Sequence, residues 1–147
     1  MATIYESENF IIESHEKPEV DRLEGGHFKI SPKIEVEDRT KLTAKQAVEL
    51  MRLTMVAGES LVKMMDSIGV NIGRINYQDN GNWKPSLHIH FYGRAKNAVM
   101  QKFGDPIIPG HKDEYKPLND TDIEILKKEI ETKLREEKYS DETWGLN

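Results

Sequence analysis

Two histidines at alternate positions, His88 and His90, lie in the run Ser86-Leu87-His88-Ile89-His90-Phe91-Tyr92-Gly93-Arg94. In an extended strand, residues two apart share a face and stand roughly 6.5–7 Å apart along the backbone. The pattern therefore predicts Ser86, His88, His90 and Tyr92 on a polar face, with Leu87, Ile89 and Phe91 turned into a core. An imidazole titrates near pH 6.5, so it can serve as a nucleophile, a proton donor or a metal ligand at neutral pH. The chain has no cysteine, which removes thiol nucleophiles, thiolate zinc sites and disulfides and leaves histidine to carry such chemistry. His15, His27, His88, His90 and His111 make up the set. On these residues alone, catalysis, metal binding and simple exposure each account for a His-x-His pair.

The elements that would hold this strand are legible around it. Asn9 to Glu13 reads as a first strand, and the Gly25-Gly26 pair marks a turn into a second, His27 to Ser31, with Phe28 and Ile30 inward. Thr43-Ala44-Lys45-Gln46 has the form of a capping box, which starts a helix predicted to run to about Ile68 and to stop at Gly69. Its stripe includes Leu50, Met51, Leu61, Met64, Met65 and Ile68, and the methionines Met51, Met55, Met64 and Met65 are expected to fill the core. Strands over 70–77 and 87–92 are joined by a loop whose Asn80-Gly81 step favours a reversal. The segment 95–118 reads as an irregular loop with at most a short helix at 98–102. A last helix, about 120–138, carries Ile123, Leu126, Ile130 and Leu134 at helical spacing, a stripe that could cover the domain or join a second subunit. The tail beyond it is expected to be loosely held unless Trp144 and Leu146 find a groove.

Composition narrows the partners. With 21 Lys and Arg against 26 Asp and Glu, the net charge of −5 disfavours an extended nucleic acid, although Lys33, Arg74, Arg94 and Lys96 could gather around a small anion. No apolar run approaches the roughly 18 residues of a membrane span, and Met1 to Glu8 lacks the basic and apolar start of a secretory signal. A cytoplasmic chain is expected.

The histidine strand, together with Ile75-Asn76-Tyr77-Gln78 before it, resembles the signature of the histidine triad (HIT) superfamily of nucleotide hydrolases and transferases. Gly26-His27-Phe28-Lys29-Ile30-Ser31-Pro32-Lys33 is similar to the family's other marker strand, and the long helix falls between the two as expected. The resemblance implies an α+β fold: an antiparallel sheet with one long helix packed across it and an additional C-terminal helix. It implies one domain over 1–147, with its recognisable core at about 10–94. By the same resemblance His88 is the nucleophile toward the α-phosphorus of a nucleotide, and His90 contacts the phosphate and assists the leaving group. Asn76 and His27 would lie beside the phosphate, and Arg94 and Lys33 would contact it.

The sequence departs from the family pattern at Ser86, where the first triad histidine belongs. A hydroxyl can hydrogen-bond but cannot hold a positive charge or relay a proton as imidazole does. The ribose-binding acid lies open between Glu19 and Asp21; Trp83 and Tyr92 could border a base or phosphate site, or serve as loop anchor and packing residue. His111 could reach the site from its loop, and His15 belongs to no motif. The implied substrate is a nucleoside phosphoanhydride or phosphoramidate, dinucleoside polyphosphates included, cleaved by a homodimer. No metal is required, though a divalent cation could accompany a polyphosphate. A nucleotide-binding module without turnover and a metal site on His27, His88 and His90 stand as alternatives.

Overall fold

The computed structural model describes residues 1–110 and 112–147, so the expectation for His111 falls outside the described residues. Five strands form one antiparallel sheet: β1 (Thr3–Glu6), β2 (Phe10–Ser14), β3 (His27–Pro32), β4 (Ile72–Gln78) and β5 (Ile89–Ala95). Their spatial order is β1-β2-β3-β5-β4, which leaves β1 and β4 at the edges and the two histidine-bearing strands side by side. The helix α1 (Ala44–Ser67) crosses one face, and α2 (Asp120–Leu134) packs on α1 and β1. This is the α+β arrangement expected, with one addition, β1, whose Thr3–Glu6 was too short to stand out.

Strand alternation separates a core face from a working face. Phe10 and Ile12 of β2, Phe28 and Ile30 of β3, Ile75 of β4, and Ile89 and Phe91 of β5 pack under α1. Phe28 and Phe91, paired across β3 and β5, stack at 4.5 Å. The opposite face receives His27 and Lys29 from β3, His90, Tyr92 and Arg94 from β5, and Asn76 and Gln78 from β4. The long helix begins as predicted, with Thr43 and Gln46 closing both bonds of a capping box, and Gly69 takes a φ of 82° beyond its end. Of its methionines expected in the core, Met64 and Met65 are buried there, whereas Met51 and Met55 are exposed.

Several boundaries differ from expectation for local reasons. The strand expected from Leu87 begins at Ile89, because the Leu87 N–H is taken by the Val36 carbonyl (2.7 Å) and never enters the ladder. Ser86 and His88 thus precede the strand. No helix forms at 98–102, where the N–H groups of Val99, Met100 and Gln101 donate to the Glu24 carboxylate. The last helix stops at Leu134, its Leu126 and Ile130 buried against the domain itself. The tail is held: Tyr139 is buried, and Trp144 stacks on it while donating its indole N–H to the Lys138 carbonyl at 2.8 Å.

The close approach of β3 and β5 depends on two glycines. A Cβ on Gly93 would lie 2.1 Å from the Gly25 carbonyl oxygen, and one on Gly25 would lie 2.0 Å from that of Gly93. No side chain fits between these backbones, and Gly25 also holds a φ of 132°. The contact sits one residue from Tyr92 and two from His27, so it sets the spacing of the histidine strands.

Candidate functional site

Register brings the imidazoles together. His27 pairs with Tyr92 and Lys29 with His90, so His27 and His90 are diagonal neighbours on the working face. His27 Nε2 and His90 Nδ1 are 2.9 Å apart. His15 follows Ser14, which pairs with Phe28, and its ring stacks on His27 at 4.1 Å, almost parallel. His90 stands edge-on to His88 with centroids 4.9 Å apart and stacks on Tyr92 at 5.5 Å.

Backbone groups fix the protons. The Glu19 N–H donates to His27 Nδ1 at 3.1 Å. That nitrogen is therefore an acceptor, His27 is neutral, and its one proton sits on Nε2, from which it donates to His90 Nδ1. His90 in turn accepts at Nδ1 and keeps its proton on Nε2. His88 has the opposite arrangement: its Nδ1 lies 2.7 Å from the Ser86 carbonyl, which can only accept, so Nδ1 bears the proton and Nε2 of the neutral ring holds a lone pair. Two imidazoles thus differ in polarity, one offering a lone pair and the other an N–H.

Both line a cavity of about 780 Å³ with Glu19, Gln78, Asn80, Asn82, Trp83, Lys84 and Tyr92, to which Ile107, Pro109 and Gly110 also contribute. Burial, with the Glu19 charge adding, pushes the Tyr92 hydroxyl up to about 12, so it stays protonated and can donate.

Other anticipated residues serve elsewhere. Arg94 is buried, and its guanidinium donates to Asn76 Oδ1 and to the carbonyls of Lys102 and Asp105, each at 2.7 Å. Asn76 and Arg94 are therefore bonded to each other, Arg94 anchors the loop after β5, and neither is among the residues that line the cavity. Lys33 places its ammonium 3.5 Å from Glu6. Asp21 accepts from the N–H groups of Leu23 and Lys116, whereas Glu19 lines the cavity, so Glu19 is the acid near the histidines.

No family model and no curated protein matches the sequence. Solved structures do match. A hypothetical histidine triad nucleotide-binding protein of Sulfolobus tokodaii aligns with a TM-score of 0.63 at 18% identity, covering 90% of this chain and 85% of its own. A histidine triad protein of Bradyrhizobium japonicum gives 0.62 at 14% identity, over 89% and 88%. One from Marinobacter aquaeolei gives 0.59 at 14%, over 88% and 85%. The chain has the histidine triad fold.

Within the histidine triad fold this chain carries features its sequence did not announce. His15 was missed because β2 ends at Ser14, and only the β2–β3 register places it opposite His27. Gln101 gave no signal at all, yet it is buried and donates to the carbonyls of Glu19 (3.1 Å) and Ile108 (2.8 Å), tying the loop to the segment that orients His27.

The nitrogens close enough to share a metal are those of His15, His27 and His90, within 4.8 Å of one another, rather than those of His27, His88 and His90. Their hydrogen bonds do not suit an ion. A metal on His27 Nε2 would need the lone pair there and the proton on Nδ1, where the Glu19 N–H already points. Among the described residues, no helix is long and apolar enough to cross a membrane.

Proposed function

We propose that this protein is a nucleotide hydrolase or nucleotidyl transferase that cleaves a nucleoside phosphoanhydride or phosphoramidate at the α-phosphorus through a covalent nucleotidyl-histidine at His88, acting in the cytoplasm. The observation that carries the reading is the opposed polarity of His88 and His90 over one cavity.

In the first step His88 Nε2 supplies its lone pair to phosphorus, and the bond from phosphorus to the leaving oxygen or nitrogen breaks. His90 Nε2–H donates a hydrogen bond to that leaving atom, which keeps the bonding electron pair and, where it is an amine nitrogen, takes its proton from solvent. The Ser86 carbonyl, accepting from His88 Nδ1–H, stabilises the positive charge the ring acquires. In the second step water attacks phosphorus and the phosphorus–nitrogen bond breaks. The attacking water gives its proton to solvent, and His88 regains its lone pair. Tyr92 O–H is a further donor for a phosphate oxygen, and Glu19 is placed to accept from ribose hydroxyls.

Ser86 does not stand against turnover in this scheme, because the position orients His88 through its main-chain carbonyl. The test is to mix the protein with a panel of mass-tagged dinucleoside polyphosphates and nucleoside phosphoramidates, quench in milliseconds and search for an acid-labile adduct on His88. An adduct lost in His88→Ala supports the reading. Saturable nucleotide binding with neither adduct nor product across the panel replaces it with a binding module.

The working form is proposed to be a homodimer. Met51, Met55 and Tyr77 are exposed around an apolar groove of about 490 Å³ between α1 and the edge strand β4, a face suited to a second copy of itself. Sedimentation should give twice the chain mass, and Met51→Glu should return it to the monomer.

A further inference from the structure

Trp83 is the largest fully exposed side chain among the described residues. Its exposure is 101%, while the other tryptophan, Trp144, is stacked and hydrogen-bonded. An indole is mostly buried in folded proteins, and leaving one wholly in water forgoes a large apolar contact. It is therefore no anchor for its own loop.

Its surroundings say what it could meet. Trp83 belongs to the rim of the cavity whose floor holds His88, His90 and Tyr92, and the same rim bears the side-chain amides of Gln78, Asn80 and Asn82. Alternation at the end of β4 explains the grouping: Gln78 and Asn80 fall on the cavity side, while Tyr77 and Asp79 line the groove on the other side. The base of the rim is held by an ion pair between Arg39 and Asp79 at 2.9 Å. Ile107 and Pro109 line the same cavity with apolar surface. A flat indole, two apolar side chains and three amides that both donate and accept, all on one cavity, make a subsite for a planar heteroaromatic ring with polar edges. Phosphate recognition needs none of these, and the imidazole floor already supplies it.

We propose that Trp83 stacks on the nucleobase of the ligand, with Asn80 and Asn82 on the ring's polar edge, so that the loop between β4 and β5 determines base selectivity. This rests on the nucleotide reading above, but it concerns the base rather than the reacting phosphate. Stacking on an aromatic side chain is worth enough by alanine substitution to shift affinity roughly tenfold.

The experiment compares wild type, Trp83→Ala and Trp83→Phe in binding AMP and GMP, which as products are not turned over, with ribose 5-phosphate measured by competition. Trp83→Ala is expected to weaken both nucleotides about tenfold and Trp83→Phe much less, with ribose 5-phosphate unchanged. Nucleotides should also quench the exposed indole emission in wild type. Equal nucleotide affinity in wild type and Trp83→Ala overturns the subsite while leaving the nucleotide reading intact. An equal loss for ribose 5-phosphate also overturns it, since the effect would then lie on the phosphate side. Failure of wild type to bind any nucleotide overturns both.

Discussion

His88 and His90, two residues apart, hold their protons on opposite ring nitrogens: His88 Nδ1 donates to the Ser86 carbonyl, whereas His90 Nδ1 accepts from His27. Among the described residues, peptide groups and one histidine set this difference. In nitrogen NMR, His88 should show the Nδ1–H tautomer and both His27 and His90 the Nε2–H tautomer near pH 8. Replacing His27 by Phe keeps an aromatic ring but frees His90 to take either tautomer. Turnover is then expected to fall about a hundredfold with KM nearly unchanged, the scale of losing an oriented hydrogen-bond donor to the transition state. A rise in KM alone would assign His27 to binding instead.

The hydroxyl of Ser86 makes no hydrogen bond among the described residues, and the carbonyl beside it does the orienting. Ser86→Ala should therefore keep kcat/KM within about threefold of wild type, well below the scale of removing a catalytic proton donor. A loss of a hundredfold would show that the side chain itself takes part.

The contrast between Ser86 and His15 shows where sequence reading ended. Alternation in the β5 run, the glycine turn before His27 and the Thr43 capping box were enough to give the sheet, the long helix and the two histidine strands, because each is a local pattern. Ser86 drew attention as a missing side chain, while its part is played by a main-chain atom that every residue type possesses. His15 and Gln101 reach the site through strand register and a loop fold, and neither leaves a periodic trace. The partners of Arg94 were hidden for a related reason: the carbonyls of Lys102 and Asp105 that its guanidinium meets come from a loop with no periodic pattern.

Arg94 joins β5 to β4 and to the loop that walls the cavity. Arg94→Met fills similar space but orphans three acceptors and is expected to cost about 3 kcal/mol. The melting temperature should fall by roughly 10 °C. Limited proteolysis should then cut within 99–110, with the salt dependence of nucleotide binding unchanged. A flattened salt dependence would return Arg94 to the phosphate.

Acid should loosen the join between α2 and the turn before β3. Asp122 is buried at the start of α2, closes a capping box with Asn119 and takes two bonds from Arg22, at 2.7 and 2.8 Å. Burial alone would raise its pKa, but the Arg22 hydrogen bond, the Asn119 N–H and the Arg22 charge outweigh it and hold the carboxyl below its ordinary value. Because the folded-state pKa is depressed, the stabilisation is complete above the unfolded value of about 3.9 and is lost as pH falls through the lower folded value. Asp122→Asn should thus be less stable than wild type by about 2 kcal/mol at pH 7, the scale of lost charge-assisted hydrogen bonds. The difference should shrink as pH falls through the lowered folded value. Urea unfolding at pH 7 and pH 2.5 measures both ends, and a gap that stays constant between them would mean that Asp122 contributes through its shape and not its charge.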